Sequence, residues 1–320
     1  MRELACCIVA LFTLATTLMA QTTQSSDLTG LIPPDAKVKK LADGMKFTEG
    51  PVWVADVSVP GGGSVFFSDQ PTDATMIWNP RDGLKVHEKP AGHPNGHTLD
   101  LEGFVIGCRE YEQRVVRFDR KLQTYATIVD KWDGKHFNSP NDVVVKRDGT
   151  IWFTDPPYNM PKGSTKEMPG NYVFRFDPKT KEVKTVATDF DRPNGLAFSP
   201  DEKILYIADS GRPRHIRKFT VNDDGTLAGS PPESSVHCKI DRGVPDGIRV
   251  DEKGNVWSSA GDGIQIFAPD GHLLGKIPVP ESPANLCFGG ADGHTCFITA
   301  RTSLYSIPTL VTDGTADKRR

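Results

Sequence analysis

Six short segments of the chain carry oxygen-bearing side chains in matching places: TEGPVW, PNGHTLD, PNDVVV, PNGLAF, PDGIRV and PANLCF. The residues at the common position are Glu49, Asn95, Asn141, Asn194, Asp246 and Asn285. All offer oxygen, and none offers sulfur or imidazole. Hard oxygen donors that include two carboxylates suit Ca²⁺ first, with Mg²⁺ or Mn²⁺ behind it. A divalent ion between Glu49 and Asp246 would also relieve their mutual repulsion. Each motif alone is equally at home in a turn, because Asn-Gly and Asp-Gly serve turns and local capping. Six such residues at one phase of a repeat favour a shared site.

The elements that must position them repeat as well. Each anchor is followed by a short apolar strand with a small or acidic end: SVFFSD, GFVIGC, TIWFTD, ILYIAD, NVWSSA and TCFITA. These strand ends lie 39, 47, 54, 51 and 40 residues apart, close to the roughly 40–50-residue period of four-stranded propeller blades. Turn sequences such as KRDG, SPDE and DEKG separate anchor from strand, as a hairpin requires. In the third unit YVFRFD and EVKTVA follow, giving four strands. The sixth unit has only LYSIP left, so VKKLA (38–42) is expected to supply its missing strand and close the ring. The fold expected is all-β, a six-bladed β-propeller over residues 28–310 whose N- and C-terminal segments pair. Equivalent positions of the blades then gather the six anchors at one mouth of the central channel.

Composition agrees. Gly and Pro supply 30 and 25 residues, dense punctuation suited to strands and turns. The net charge of −3, without a basic block, argues against nucleic acid as a partner. Residues 1–20 read as a cleaved secretion signal, with Arg2 ahead of a short apolar stretch. That implies an exported, periplasmic or secreted protein with no membrane span in the mature chain, a monomer or weak dimer. Residues 311–320 read as a polar tail. Cys287 and Cys296 flank a hairpin turn, where a disulfide and buried free thiols are both open. There is no HExxH or GxSxG, which excludes the common zinc proteases and serine esterases, and no P-loop or GxGxxG, which disfavours nucleotide cofactors.

The segments FTEGPVW, NSPNDVVV, TDPPY, RPNGLAFSPDE, VPDGIRVDEKGNVW and ITARTSLY resemble the gluconolactonase-type lactonases of the SMP-30/regucalcin-like propeller family. The resemblance spans nearly the whole chain after about residue 40. It implies one catalytic divalent ion, usually Ca²⁺ and sometimes Zn²⁺ or Mg²⁺. By position it implies Glu49, Asn194 and Asp246 as metal ligands, Asp246 also as catalytic base, and Asn141 as a metal or substrate ligand. The family's substrate-binding Arg before that Asn is replaced here by Ser139 and Pro140.

The expected function is therefore metal-dependent opening of a small sugar lactone, the metal polarising the carbonyl and Asp246 acting as general base. Asn141 and Asn95 are expected to orient hydroxyl groups, His97 to line the same mouth, and Tyr158 to cover it. Arg301 is expected to form an ion pair inside the propeller. Two other functions fit the same residues: a non-catalytic propeller stabilised by Ca²⁺, and an aryl-ester or organophosphate hydrolase.

Overall fold

The repeated strands assemble into six antiparallel sheets in the computed structural model, which describes residues 28–119, 123–228 and 236–315. The first sheet runs Thr48–Ala55, Gly63–Asp69, Ala74–Asn79 and Gly83–Glu88 in spatial as in chain order. The second follows with Pro94–Leu99, Val105–Arg109, Arg114–Asp119 and Thr124–Val129. The third is Val143–Val145, Ile151–Asp155, Tyr172–Phe176 and Val183–Ala187. In the fourth, Pro193–Phe198, Ile204–Asp209 and His215–Val221 are completed by Leu227–Ala228 and Val236–Lys239, both paired with the third strand. The fifth holds Ile248–Val250, Val256–Ala260, Gly263–Phe267 and Leu273–Ile277. The sixth combines Pro283–Gly289, Thr295–Ala300 and Ser303–Pro308 with the N-terminal strand Lys39–Ala42, whose Lys39 lies opposite Ser306.

Apolar clusters fill the gaps between neighbouring sheets all the way round. Val52, Phe66 and Val105 join the first two blades. Cys108, Phe137 and Phe153 join the second and third, and Trp152, Leu196 and Phe198 the third and fourth. Tyr206, Ile248 and Val256 link the fourth to the fifth, and Trp257, Leu286 and Phe288 link the fifth to the sixth. Val65, Phe67, Cys287 and Phe297 bring the sixth back to the first. The fold is thus a six-bladed β-propeller. Its inner strands read as unbroken apolar runs because both their faces are covered; Pro193–Phe198 is buried throughout, whereas Thr124–Val129 on the outside is largely exposed.

The four cysteines among the described residues are buried free thiols. Cys287 stands opposite Phe297, and Cys296 opposite Phe288. Neighbouring residues on a strand point to opposite faces, so the two sulfurs pack into different clusters, Cys287 toward the first blade and Cys296 toward the fifth. The segment expected to begin a polar tail is tied down at its start. Val311 is fully buried, Asp313 bridges to Asp251, and the Gly314 N–H donates to the Val250 carbonyl at 2.9 Å. The expected signal, residues 1–20, and residues 316–320 lie outside the described residues. No helix among those described is long and apolar enough to cross a membrane.

Candidate active site at the propeller mouth

Two local devices aim the anchors. The first is an irregular start to the innermost strands. Pairing with the second strand shifts between Glu49 and Val52, Pro94 and His97, Pro193 and Leu196, and Pro283 and Asn285. Such bulges turn a side chain out of the ladder. Proline opens three of these strands, where no ladder N–H is lost. The second device is the acidic residue that ends several second strands. Asp69 accepts the N–H groups of Lys46 and Phe47 at 2.9 and 3.1 Å. Asp155 accepts those of Asn138 and Ser139, both at 2.8 Å. Asp209 accepts those of Asp191 and Arg192 at 3.0 and 2.9 Å. In each case the bonded groups lie three and two residues before the anchor. The strand-end aspartates seen in the sequence thus hold the loops that deliver Glu49, Asn141 and Asn194.

The glycine after an anchor serves close approach rather than a turn. A Cβ on Gly195 would stand 2.4 Å from the Asp246 carbonyl oxygen, and one on Gly247 would strike the Asn285 carboxamide. The Gly96 N–H donates to the Asn141 carbonyl at 2.8 Å, and that of Gly195 to the Asp246 carbonyl at 3.1 Å. Anchor segments of adjacent blades therefore touch backbone to backbone around the axis.

Glu49, Asn95, Asn141, Asn194 and Asp246 line one cavity of about 260 Å³ at the mouth. Asn285 does not line it. It hydrogen-bonds the carboxylates of Glu49 and Asp142 instead. Tyr158 lines the cavity, half-buried, with its hydroxyl donating to the Arg192 carbonyl at 3.3 Å and lying 3.4 Å from Asn194 Nδ2. His97 is not at the mouth, contrary to the expectation from its place two residues after Asn95. The bulge between Pro94 and His97 separates their directions, and the ring lies 2.9 Å from the Gly50 carbonyl, lining a cavity of about 60 Å³ shared with Arg249, Asp313 and Thr315. Arg301 forms no ion pair among the described residues; it lies over the Phe47 ring at 5.7 Å and lines a neighbouring cavity.

Four residues at the site, Gln70, Glu110, Asn159 and Ser210, carry no mark in the repeat of anchors. Glu110 is fully buried and accepts from Asn95 Nδ2 at 3.1 Å, Asn159 Nδ2 at 2.8 Å and Gln70 Nε2 at 2.5 Å. Gln70 and Glu110 each follow directly the last residue of a second strand, as does Ser210. This second phase of the repeat is the signal that would have found them. Asn159 comes from the long third-blade loop and has no counterpart in other blades.

Burial dominates the electrostatics. It pushes the Glu49 carboxyl well above the usual carboxylate range, and the charges of Asp246 and Asp142 push it further. Asp246 is pushed up to about 7 by burial, against a hydrogen bond from Asn194 and together with the charges of Asp142 and Glu110. Glu110 is pushed up to about 7 by burial against its amide donors. The guanidinium of Arg249 lies 3.6 Å from Asp142, whose Oδ2 has no hydrogen-bond partner. Negative charge is thus concentrated at the mouth, whose lining also includes Arg192. Among the described residues no group of three or more His, Cys, Asp or Glu converges as a metal site, so any ion here relies on carboxamides beside the two carboxylates. That all-oxygen, hard donor set fits a divalent ion of the Ca²⁺ type.

Comparison with known proteins agrees with this architecture. Residues 47–302 match the model of the SMP-30/gluconolactonase/LRE-like region. A gluconolactonase of Zymomonas mobilis is 32% identical over 89% of this chain and 85% of its own length. A pentonolactonase of Haloferax volcanii is 28% identical over 78% of this chain and 80% of its own. Among solved structures, a gluconolactonase of Xanthomonas campestris superposes with a TM-score of 0.80 at 31% identity, covering 88% of this chain and 92% of that one. The ring of oxygen donors, the blades that carry it and these likenesses together make the chain a member of the SMP-30/gluconolactonase/LRE-like family.

Proposed function

We propose that this protein is a hydrolase of sugar lactones. Glu49, Asn141, Asn194 and Asp246 would hold one divalent cation, Ca²⁺ favoured over Zn²⁺, Mg²⁺ or Mn²⁺. The observation that carries the reading is the pairing of two carboxylates, the buried Glu49 and the half-buried Asp246, in one polar cavity at the propeller mouth. The bound ion would act as a Lewis acid on the lactone carbonyl and steady the oxyanion that develops there. Asp246 is the general base, taking a proton from the attacking water and returning it to the ring oxygen. Asn194 hydrogen-bonds the Asp246 carboxylate and is itself fixed by Ser210, whose Oγ accepts from Asn194 Nδ2 at 2.9 Å. Glu110 fixes the carboxamides of Asn95, Asn141 and Asn159, so their orientation toward substrate hydroxyls is set before binding. Tyr158 covers one edge of the cavity.

The amides Gln70, Asn95, Asn141 and Asn159 make the lining polar, which supports a sugar over an aryl ester. Proton release from D-glucono-1,5-lactone, with metal-stripped protein and each ion added back, tests the reading. Ca²⁺ should restore turnover, and Asp246→Asn should lower it by about 10²- to 10⁴-fold. A near-full rate in Asp246→Asn with the ion bound would remove the base assignment. Tight ion binding without turnover of any lactone would favour a binding propeller instead.

A further inference from the structure

A second cavity of about 420 Å³ adjoins the mouth and shares Phe47, Val244 and Asp246 with it. Its own lining adds two arginines, Arg214 and Arg301. Arg301 directly follows the second strand of the sixth blade, and Arg214 directly precedes the third strand of the fourth. Their backbones are fixed: the Arg301 carbonyl accepts the Thr48 N–H at 2.8 Å, and the Arg214 carbonyl accepts the Ile240 N–H at 3.0 Å. Their side chains are exposed, and neither has a carboxylate within 4.0 Å among the described residues. Arg109, Arg117 and Arg217, by contrast, are committed to Glu88, Asp100 and Asp189, while Arg192, which lines the mouth cavity, lies over the Tyr158 ring at 5.9 Å. Two arginines without a carboxylate partner therefore line a cavity that opens beside the reacting centre.

We propose that Arg214 and Arg301 form an anion-recognising subsite, so that the preferred substrate is a lactone carrying a second, acidic group. The inference rests on the lactone-hydrolase reading of the neighbouring cavity. The mouth cavity alone falls just short of the roughly 300–1,000 Å³ of typical ligand pockets, so a ligand that also enters the second cavity fits better. A guanidinium gives a carboxylate, phosphate or sulfonate two parallel charge-assisted hydrogen bonds, which a neutral hydroxyl cannot match. Arg214 and Arg301 line only the second cavity, whereas Glu49, Asn141 and Asn194, which would hold the ion at the reacting carbonyl, line only the mouth. The group the two arginines reach is thus a permanent substituent at the far end of the ring, not the carboxylate that hydrolysis releases.

The test compares kcat/KM for glucono-1,5-lactone and 6-phosphoglucono-1,5-lactone in wild type, Arg214→Gln, Arg301→Gln and the double variant. Both side chains are exposed, and thermal melting checks that each variant is folded. The wild type should prefer the phosphorylated lactone at least tenfold, and each substitution should lower that ratio by about tenfold, the loss of one charge-assisted contact. A wild type without preference, or variants that lose equally on both lactones, would overturn the subsite while leaving the lactonase reading intact. Calorimetric binding of 6-phosphogluconate against gluconate gives an arm independent of turnover. Tighter binding of 6-phosphogluconate that the double variant loses supports the subsite even if no lactone is opened. Equal affinities, or gluconate binding that falls as much as 6-phosphogluconate binding, refute it.

Discussion

Replacing Gly195 by alanine tests how closely the anchors are set around the axis. The added Cβ would lie 2.4 Å from the Asp246 carbonyl oxygen and 2.7 Å from the Ile248 nitrogen, both backbone atoms. Ordinary contacts of this kind begin near 3.4 Å, so the two strands must part by about 1 Å. Separation on that scale removes the 3.1 Å bond from the Gly195 N–H to the Asp246 carbonyl, worth about 1 kcal/mol. Overpacking adds about 1–3 kcal/mol of destabilisation. The catalytic effect should be larger than the loss of stability suggests. Asn194 precedes the altered residue and Asp246 is the residue pushed away, and an error of about 1 Å in a catalytic group costs about 10²-fold in rate. Thermal melting, Ca²⁺ affinity and lactone proton-release kinetics on the purified variant read the three effects separately. A folded Gly195→Ala protein with wild-type kcat and unchanged Ca²⁺ affinity would refute the claim that this glycine spaces the site.

Two further outcomes follow from the same geometry. In Asp209→Asn, one oxygen must replace two that serve the N–H groups of Asp191, Arg192 and Gly211. An unsatisfied buried donor costs about 1–3 kcal/mol, so melting should fall by several degrees and kcat should drop, because Asn194 hangs from that loop; an unchanged kcat would show that the cap is structural only. His97 is held down to about 4 by burial, with its Nδ1 donating to the Gly50 carbonyl at 2.9 Å. The unfolded chain, with an imidazole pKa near 6.5, binds a proton that the folded one refuses, so this contribution is complete above about pH 6.5 and is lost as pH falls toward 4. Wild type should lose about 3 kcal/mol relative to His97→Gln across that window, and imidazole ¹⁵N shifts should show His97 neutral at pH 5.5; a cationic ring in the folded protein at that pH would contradict the assignment.

The architecture was legible because each blade repeats the same apolar strands and the same polar anchor. The parts of the site that were not legible depend on backbone detail. His97 looked like a mouth residue because a regular strand would bring it to the same face as Asn95; the bulge after Pro94 breaks that parity. Asn285 has the right phase, yet the absence of a side chain at Gly247 lets it sink toward Asp142. Arg301 read as a structural cation because it follows an inner strand, where an ion pair within the propeller was expected over substrate contact. Its hairpin instead leaves it over Phe47 at a cavity wall. Each miss is a shift of a few ångströms that composition and periodicity do not encode.

The two phases of the repeat divide the work of the site. The five anchors that line the mouth, from Glu49 to Asp246, are chemically alike, and such similar oxygen donors around a pseudo-sixfold axis suit a cation but cannot orient an asymmetric ligand. The residues directly after the second strands are Gln70, Glu110, Pro156, Ser210, Gly261 and Arg301, and no two are alike. This ring breaks the pseudo-symmetry. Glu110 and Gln70 make one side an amide network that suits hydroxyl groups. Gly261 leaves the opposite side open as the second cavity, and Arg301 gives that cavity its charge. A ligand with hydroxyls at one end and an anion at the other therefore has one favourable orientation in the mouth, whereas a neutral, symmetrically hydroxylated ligand has several. On the proposed reading, the ring that the repeat leaves variable decides orientation, while the ring that it keeps uniform would hold the cation.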